Sequence, residues 1–330
     1  MTTLTKQRIR DWFLLLIPII VYIVHTTLFF KVLPYPSDEI SYLGPVATPN
    51  FGYFPNLDRI VLGIGLKFIV HFLPYTSYIS GMIFAGLVSI AFLGLAMIIA
   101  YRYGGFFAAL VVGVCVNGSY IFIEGATEVL PDAISAFFSL AAFFAFIEAR
   151  ANKGRKQDLL LALAGLLTAA SGLSKVAGVA TFVLIVIYLF FQSRNFRSFI
   201  AYLTGVALGG FAIFGIYIYL FSWPSFVATF QDFFAGQMDR YTVTVPAQRL
   251  EQYLDLLVSL DHLPMVALFA VPALYRKPIT RDYAILAWSN LLFAIFIIVA
   301  TPRGLAPDSR YLYLAYIANI ISLGIFLGQT

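Results

Sequence analysis

The chain has 330 residues, 61% of them hydrophobic and only 11% charged, with a net charge of +5. Soluble domains carry roughly 25% charged residues, so the composition excludes a soluble globular protein and reads as a polytopic membrane protein. The positive balance is not gathered into a basic stripe on a soluble face. That excludes a nucleic-acid partner and leaves topology as its meaning.

Apolar runs long enough to cross a hydrocarbon core as helices recur along the sequence. Ten spans are expected: Trp12–Leu33, Tyr78–Tyr101, Phe106–Ile123, Pro131–Glu148, Leu159–Ser174, Val176–Phe191, Phe199–Phe221, Leu263–Tyr275, Tyr283–Ala300 and Tyr311–Leu327. The first is too long for the apolar core of a signal peptide, and no small-residue cleavage site follows it. Leu263–Tyr275 is short, and reaches across only with residues from a flank, or as a tilted or re-entrant segment. The lone Cys115 lies within an apolar run, and His25, His71 and His262 are far apart. Neither an intramolecular disulfide nor a Cys or His metal site is expected. No repeat and no separate soluble domain is expected over residues 1–330, and the chain ends at Thr330.

Lys and Arg mark the cytoplasmic loops of membrane proteins. With the N-terminus inside, 13 of the 21 basic residues but only four of the 16 acids (Asp11, Glu148, Asp158 and Asp282) fall on the cytoplasmic side. Every inner loop is then short and basic, and the long loops fall outside.

The outer loops hold most of the carboxylates. The first, residues 34–77, opens with Pro34-Tyr35-Pro36-Ser37-Asp38-Glu39, two adjacent acids at the mouth of a membrane helix. Ionisable groups at such a place cost free energy unless paired or wet. Further along, Leu57–Leu73 is apolar but interrupted by Arg59, Gly63, Lys67 and His71, four apart. That spacing puts them on one face of a helix, read as an interfacial helix over 57–73 with its polar strip turned up. The strip either meets lipid headgroups or lines a site for an anionic headgroup.

The second outer loop holds Glu124, Glu128 and Asp132. Pro131 is suited to begin a helix, and Asp132 in its first turn suits the helix dipole. Glu124 and Glu128 lack such an explanation; on a helix they would share a face, and their repulsion calls for a cation, a proton or a substrate. Lys175 sits where two spans meet with no room for a loop, held at the outer surface either as a snorkelling side chain or as a phosphate partner. The long loop 222–262, with Arg240, is either a lid or a connector, and the last loop brings Arg303 and Arg310 to the surface.

The outer side thus supplies carboxylates (Asp38, Glu39, Glu124, Glu128) and cations (Arg59, Lys175, Arg240, Arg303, Arg310). An outward-opening cavity lined by both suits a substrate with a lipid tail and a phosphate. Cations neutralise charge developing on a phosphate leaving group, and a carboxylate deprotonates an acceptor as general base. That is the outline of glycosyl transfer from a polyprenyl-phosphate sugar.

Several segments, in order, resemble the GT-C class of membrane glycosyltransferases, near its protein O-mannosyltransferase and lipid A aminoarabinose transferase branch. Asp38-Glu39-Ile40-Ser41-Tyr42, followed by the small Ala47, is similar to that family's acidic pair. Gly52-Tyr53-Phe54 and Leu57–Phe72 resemble its next segment and interfacial helix, with Leu57-Asp58-Arg59-Ile60 where the family has Lys-Pro-Pro. Thr127-Glu128-Val129 resembles its Thr-Asp-Val motif, with Glu for Asp. Leu161–Gly178, ending Ser174-Lys175-Val176-Ala177-Gly178, and Ser309-Arg310-Tyr311-Leu312 resemble two later motifs.

The resemblance implies an inverting transferase. Asp38 is its base or acceptor-positioning residue and Glu128 a second acidic site residue, with Lys175 and Arg310 on the donor phosphate; Arg59 stands where the family's lysine does. The expected protein is all-α, GT-C-like, with about ten transmembrane helices and its active site facing away from the cytoplasm. The membrane is the cell membrane in a prokaryote and the endoplasmic reticulum in a eukaryote. Its partners are a polyprenyl-phosphate sugar, membrane lipids and a protein, lipid or glycan acceptor. Carboxylates with waters leave Mg²⁺ or Mn²⁺ open. The alternatives are a transporter or flippase of a lipid-linked sugar, and a GT-C-fold protein whose activity differs or is lost. A transporter would favour inverted repeats and carboxylates deep in the helices, neither of which is evident.

Overall fold

A computed structural model of the chain describes residues 3–28, 59–73, 76–127, 129, 131–193, 196–239, 277–300 and 312–329. Every regular element among them is a helix. In chain order these are α1 (Thr3–Leu28), α2 (Ile60–Phe72), α3 (Ser77–Asn117), α4 (Tyr120–Thr127), α5 (Pro131–Arg150), α6 (Arg155–Gly172), α7 (Val179–Tyr188), α8 (Phe196–Phe221), α9 (Trp223–Asp239), α10 (Pro278–Ala300) and α11 (Tyr313–Gln329). A 3-10 turn, Val176–Gly178, precedes α7, and a π turn, Leu189–Ser193, extends it.

Four of these helices, α1, α3, α5 and α8, are long and apolar enough to cross a membrane. α3 has 41 residues, and Gly105, at φ 79, breaks its course. A left-handed backbone there is open only to a residue without a Cβ. The break separates the two spans expected at Tyr78–Tyr101 and Phe106–Ile123. The second of these ends sooner than expected, because Gly118 caps α3 and a new helix, α4, carries Tyr120–Thr127. The expected span Leu263–Tyr275 lies outside the described residues. The outer loop 222–262, expected as a lid or connector, begins as a helix, α9. Ser222, at φ 86, makes the turn from α8 into it.

Close packing without bulky side chains joins the helices, as suits a bundle in lipid. α6 and α8 touch backbone to backbone: a Cβ on Gly205 would lie 2.0 Å from the Ala162 carbonyl oxygen. α11 lies on α3 in the same way, where a Cβ on Gly328 would sit 2.2 Å from the Gly104 carbonyl oxygen. Pro18 of α1 packs on Gly113 of α3, and Asn117 Nδ2 donates to the Pro18 carbonyl at 2.9 Å.

One end of the bundle gathers the charges. Arg102 pairs with Glu148 at 3.3 Å, Arg150 with Asp282 at 2.7 Å and Arg197 with Asp158 at 2.6 Å. Tyr103 and Tyr188 donate to Glu148 and Asp282, and Gln329 Nε2 donates to the Tyr103 carbonyl. The loops at this end are those the charge bias assigned to a single side. Asp282 is the most buried of these paired groups, its side chain only 1% exposed.

α2 is a helix where an interfacial one was expected, but its strip is not simply turned up. Gly63 is buried with Ile60, Leu62 and Leu66. Lys67 is half-buried, its ammonium 5.7 Å from the centre of the Phe221 ring, and His71 alone of the strip is exposed. The helix docks on α3, α5 and α8 through a cluster of Ile60, Leu62, Leu66, Met82, Val129, Ile134, Tyr217 and Phe221. Its apolar face is wider than the sequence strip implied, so packing takes the glycine inward.

Candidate active site

At the other end of the bundle, five segments converge: the start of α2, the α4–α5 turn, the Ser174–Gly178 turn, α10 and the start of α11. The turn after α6 is tied to α2 by a backbone bond from Val61 N to the Leu173 carbonyl, 3.3 Å. Val129, in the turn before α5, is fully buried beside α2.

Lys175 forms an ion pair with Asp132, and the two side chains are only 11% and 7% exposed. The pair lines a small recess of about 30 Å³, shared with Ser135, Ser139, Gly178, Asn290 and Tyr313. That is room for a water or two, not for a sugar ring. A charge pair taken out of water must be held in good geometry, and hydroxyls below it hold the helices in register. Ser171 Oγ donates to the Ser135 carbonyl at 2.8 Å and sits 2.6 Å from Ser139 Oγ. Lys175 N and Ser174 N donate to the Ser171 carbonyl, and Gly178 N to the Lys175 carbonyl, winding the turn tightly. Only glycine fits at 178, because a Cβ there would lie 2.2 Å from Ser171 Oγ.

On the far wall, Asn290 Nδ2 donates to the Leu286 carbonyl at 2.9 Å. Tyr313 reaches from the first turn of α11 to α4. Its hydroxyl lies 3.4 Å from the Phe122 carbonyl, which also accepts from Tyr22 at 2.6 Å. The Tyr313 ring covers Gly125, where a Cβ would fall 2.6 Å from it. Tyr313 thus links the acidic segment around Glu124 to the recess.

Of the residues expected from the sequence, Lys175 is in the recess. Its partner there is Asp132. Asp132, which the helix dipole alone sufficed to explain, is a buried member of this site. Arg59 takes the N-cap position of α2 and is half-buried. Glu124 is on α4, one residue before the glycine under Tyr313. The side chain of Glu124 lies outside the described residues, as do Asp38, Glu39, Glu128, Arg240, Arg303 and Arg310. Among the described residues, no group of three His, Cys, Asp or Glu converges to hold a metal ion. Sequence reasoning missed Ser135, Ser139, Ser171, Asn290 and Tyr313. A signal was present: Asp132, Ser135 and Ser139 fall at helical spacing on one face of an apolar helix.

The arrangement of helices is that of solved membrane transferases. It resembles the crystal structure of ArnT from Cupriavidus metallidurans in the apo state, with TM-score 0.64 and 14% identity, over 99% of this chain and 60% of that one. It also resembles ArnT from the same organism bound to undecaprenyl phosphate, with TM-score 0.60 and 19% identity, over 98% and 60%. The chain therefore spans about 60% of the length of these structures. No curated protein matches it. By its fold the chain falls in the GT-C class. Within that class, residues 51–231 match the family described as dolichyl-phosphate-mannose-protein mannosyltransferase, and the chain belongs to that family. The matched segment carries Arg59, Glu124, Glu128, Asp132 and Lys175; Asp38, Arg303 and Arg310 fall outside it.

Proposed function

We propose that the chain transfers a sugar from a polyprenyl-phosphate-linked donor to an acceptor on the non-cytoplasmic face of its membrane. The observation that carries this is the buried Asp132–Lys175 pair where five segments converge, at the bundle end opposite the clustered Arg–carboxylate pairs. Membership of the mannosyltransferase family supports the reaction class. The undecaprenyl phosphate held by the ArnT crystal structure supports the lipid carrier.

The donor phosphate meets Lys175, with Arg59, Arg303 and Arg310 as further cations. Asp38 takes the proton of the acceptor hydroxyl or amine, with Glu39, Glu124 and Glu128 completing the acidic side. The acceptor atom bonds to the anomeric carbon from the face opposite the phosphate. The carbon–oxygen bond to phosphate breaks with its electron pair on the phosphate oxygen, so the anomeric centre inverts. Positioned cations stabilise that developing charge, and the carboxylate acts as general base.

The test is turnover by purified, detergent-solubilised protein given a panel of polyprenyl-phosphate sugars, run beside Asp38→Asn. Turnover that collapses in a folded Asp38→Asn variant supports both the transfer and the base. Turnover that survives moves the base to another carboxylate, Glu128 first. No turnover with any donor overturns the reading.

A further inference from the structure

The Asp132–Lys175 pair poses an electrostatic problem for the phosphate reading, on which this inference rests. An ammonium already neutralised by a buried carboxylate attracts a phosphate weakly. Yet Lys175 is the described cation in the recess, where its ammonium already faces Asp132 and the space left, about 30 Å³, suits a water or two. A phosphate that meets Lys175 has therefore to compete with Asp132 for the ammonium.

The two partners differ in how far they can move. Asp132 is a short side chain on the first turn of α5. That helix is pinned one turn further in by the Ser135, Ser139 and Ser171 bonds. Lys175 carries its charge on a flexible four-carbon stem, and it stands on a turn rather than in a helix.

We propose that Asp132 is the resting counterion of Lys175, and that the ammonium exchanges this carboxylate for the donor phosphate as the reaction proceeds. A sugar phosphodiester carries one negative charge. The polyprenyl monoester it leaves behind gains a second near neutral pH. Against the singly charged donor, Asp132 competes well for the ammonium. Against the leaving group, it competes poorly. The charge of Lys175 is thereby delivered mainly where charge develops, and such differential binding lowers the barrier rather than merely tightening donor binding. Asp132 acts through Lys175, as a positioning residue.

The sign of one variant separates this from a purely structural ion pair. Removing a negative charge within about 4–6 Å of an anion site favours the anion by about tenfold or more. A structural role predicts the reverse, since loss of the pair loosens the site.

The experiment measures binding of undecaprenyl phosphate, with undecaprenol as the uncharged control, to the full chain in detergent. Asp132→Asn should bind undecaprenyl phosphate about tenfold more tightly than the parent, with undecaprenol unchanged. Lys175→Ala should bind it more weakly, and the gain from Asp132→Asn should be smaller in the Lys175→Ala background than in the parent, because the two side chains act as one unit. Asp132→Glu, which keeps the charge, should bind like the parent. If Asp132→Asn folds only with undecaprenyl phosphate present, that rescue is the same result read by linkage; failure to recover it so overturns the proposal. Weaker or unchanged phosphate binding by Asp132→Asn overturns it too, as does a parent that prefers undecaprenol. A parent that binds undecaprenyl phosphate as described but turns over no sugar donor would remove the transferase reading and leave the exchange standing.

Discussion

Ser171 and Ser135 hold each other by side chain and main chain at once: Ser171 Oγ donates to the Ser135 carbonyl at 2.8 Å, and Ser135 Oγ reaches the Ser171 carbonyl at 3.2 Å. These bonds fix the first turns of α5 to the end of α6, and with them the heights of Asp132 and Lys175. Ser171→Ala should cost about 1–3 kcal/mol, because it strands buried groups on Ser135 and Ser139. Gly178→Ala should cost more, since its Cβ would meet the Ser171 backbone carbon at 2.5 Å as well as the hydroxyl. The double variant should not be rescued, because the backbone clash remains. Thermal unfolding of the three variants in detergent checks the order.

The Arg150–Asp282 pair predicts an asymmetry. Arg150 is 35% exposed and Asp282 1%. Truncating Arg150 leaves a carboxylate with no water to turn to, and breaking a buried pair this way costs about 3–5 kcal/mol. Asp282→Asn should cost less: the amide still accepts from Tyr188, and the guanidinium rehydrates. Equal losses of unfolding temperature in Arg150→Ala and Asp282→Asn would contradict this account of the clasp.

Arg197 and Asp158 make an equally short contact, 2.6 Å, but Arg197 is 73% exposed. Exposed pairs contribute about 0–1 kcal/mol. Arg197→Ala should leave the unfolding temperature nearly unchanged at moderate salt, which also makes it the control for the Arg150 series.

Two glycines on α8 should respond in opposite ways. Gly205→Ala pushes a methyl into the Ala162 backbone, at 2.0–2.8 Å, and should destabilise by about 1–3 kcal/mol or more as α6 and α8 separate. Gly210 has nothing within 4 Å of its Cβ position. Gly210→Ala should be neutral, or stabilising by up to about 1 kcal/mol through helix propensity. The two unfolding temperatures, measured side by side, decide it.

The helices were legible in the sequence because each is an apolar run, and a run long enough to cross lipid leaves little other choice of structure. The boundaries were less so. Tyr120–Thr127 reads as a continuation of the preceding run, and only the cap at Gly118 separates it. Lys175 was legible as a charge with nowhere to go. Asp132 was not, because Pro131 and the helix dipole explain it from local sequence alone, and its partner lies 43 residues away. Asn290 and Tyr313 are further still in sequence, and a lone polar residue in an apolar helix carries no sign of what it faces. Pairing across the bundle is a tertiary fact, whereas hydropathy and charge bias are local ones.

The most direct test of the central claim reconstitutes the protein in vesicles with a labelled polyprenyl-phosphate sugar and a mixture of acceptors. It follows product, free polyprenyl phosphate and the sidedness of intact donor together. The account predicts glycosylated product and polyprenyl phosphate in equal amounts. Intact lipid-linked sugar that crosses the vesicle membrane, with neither product formed, would contradict it and make the protein a carrier.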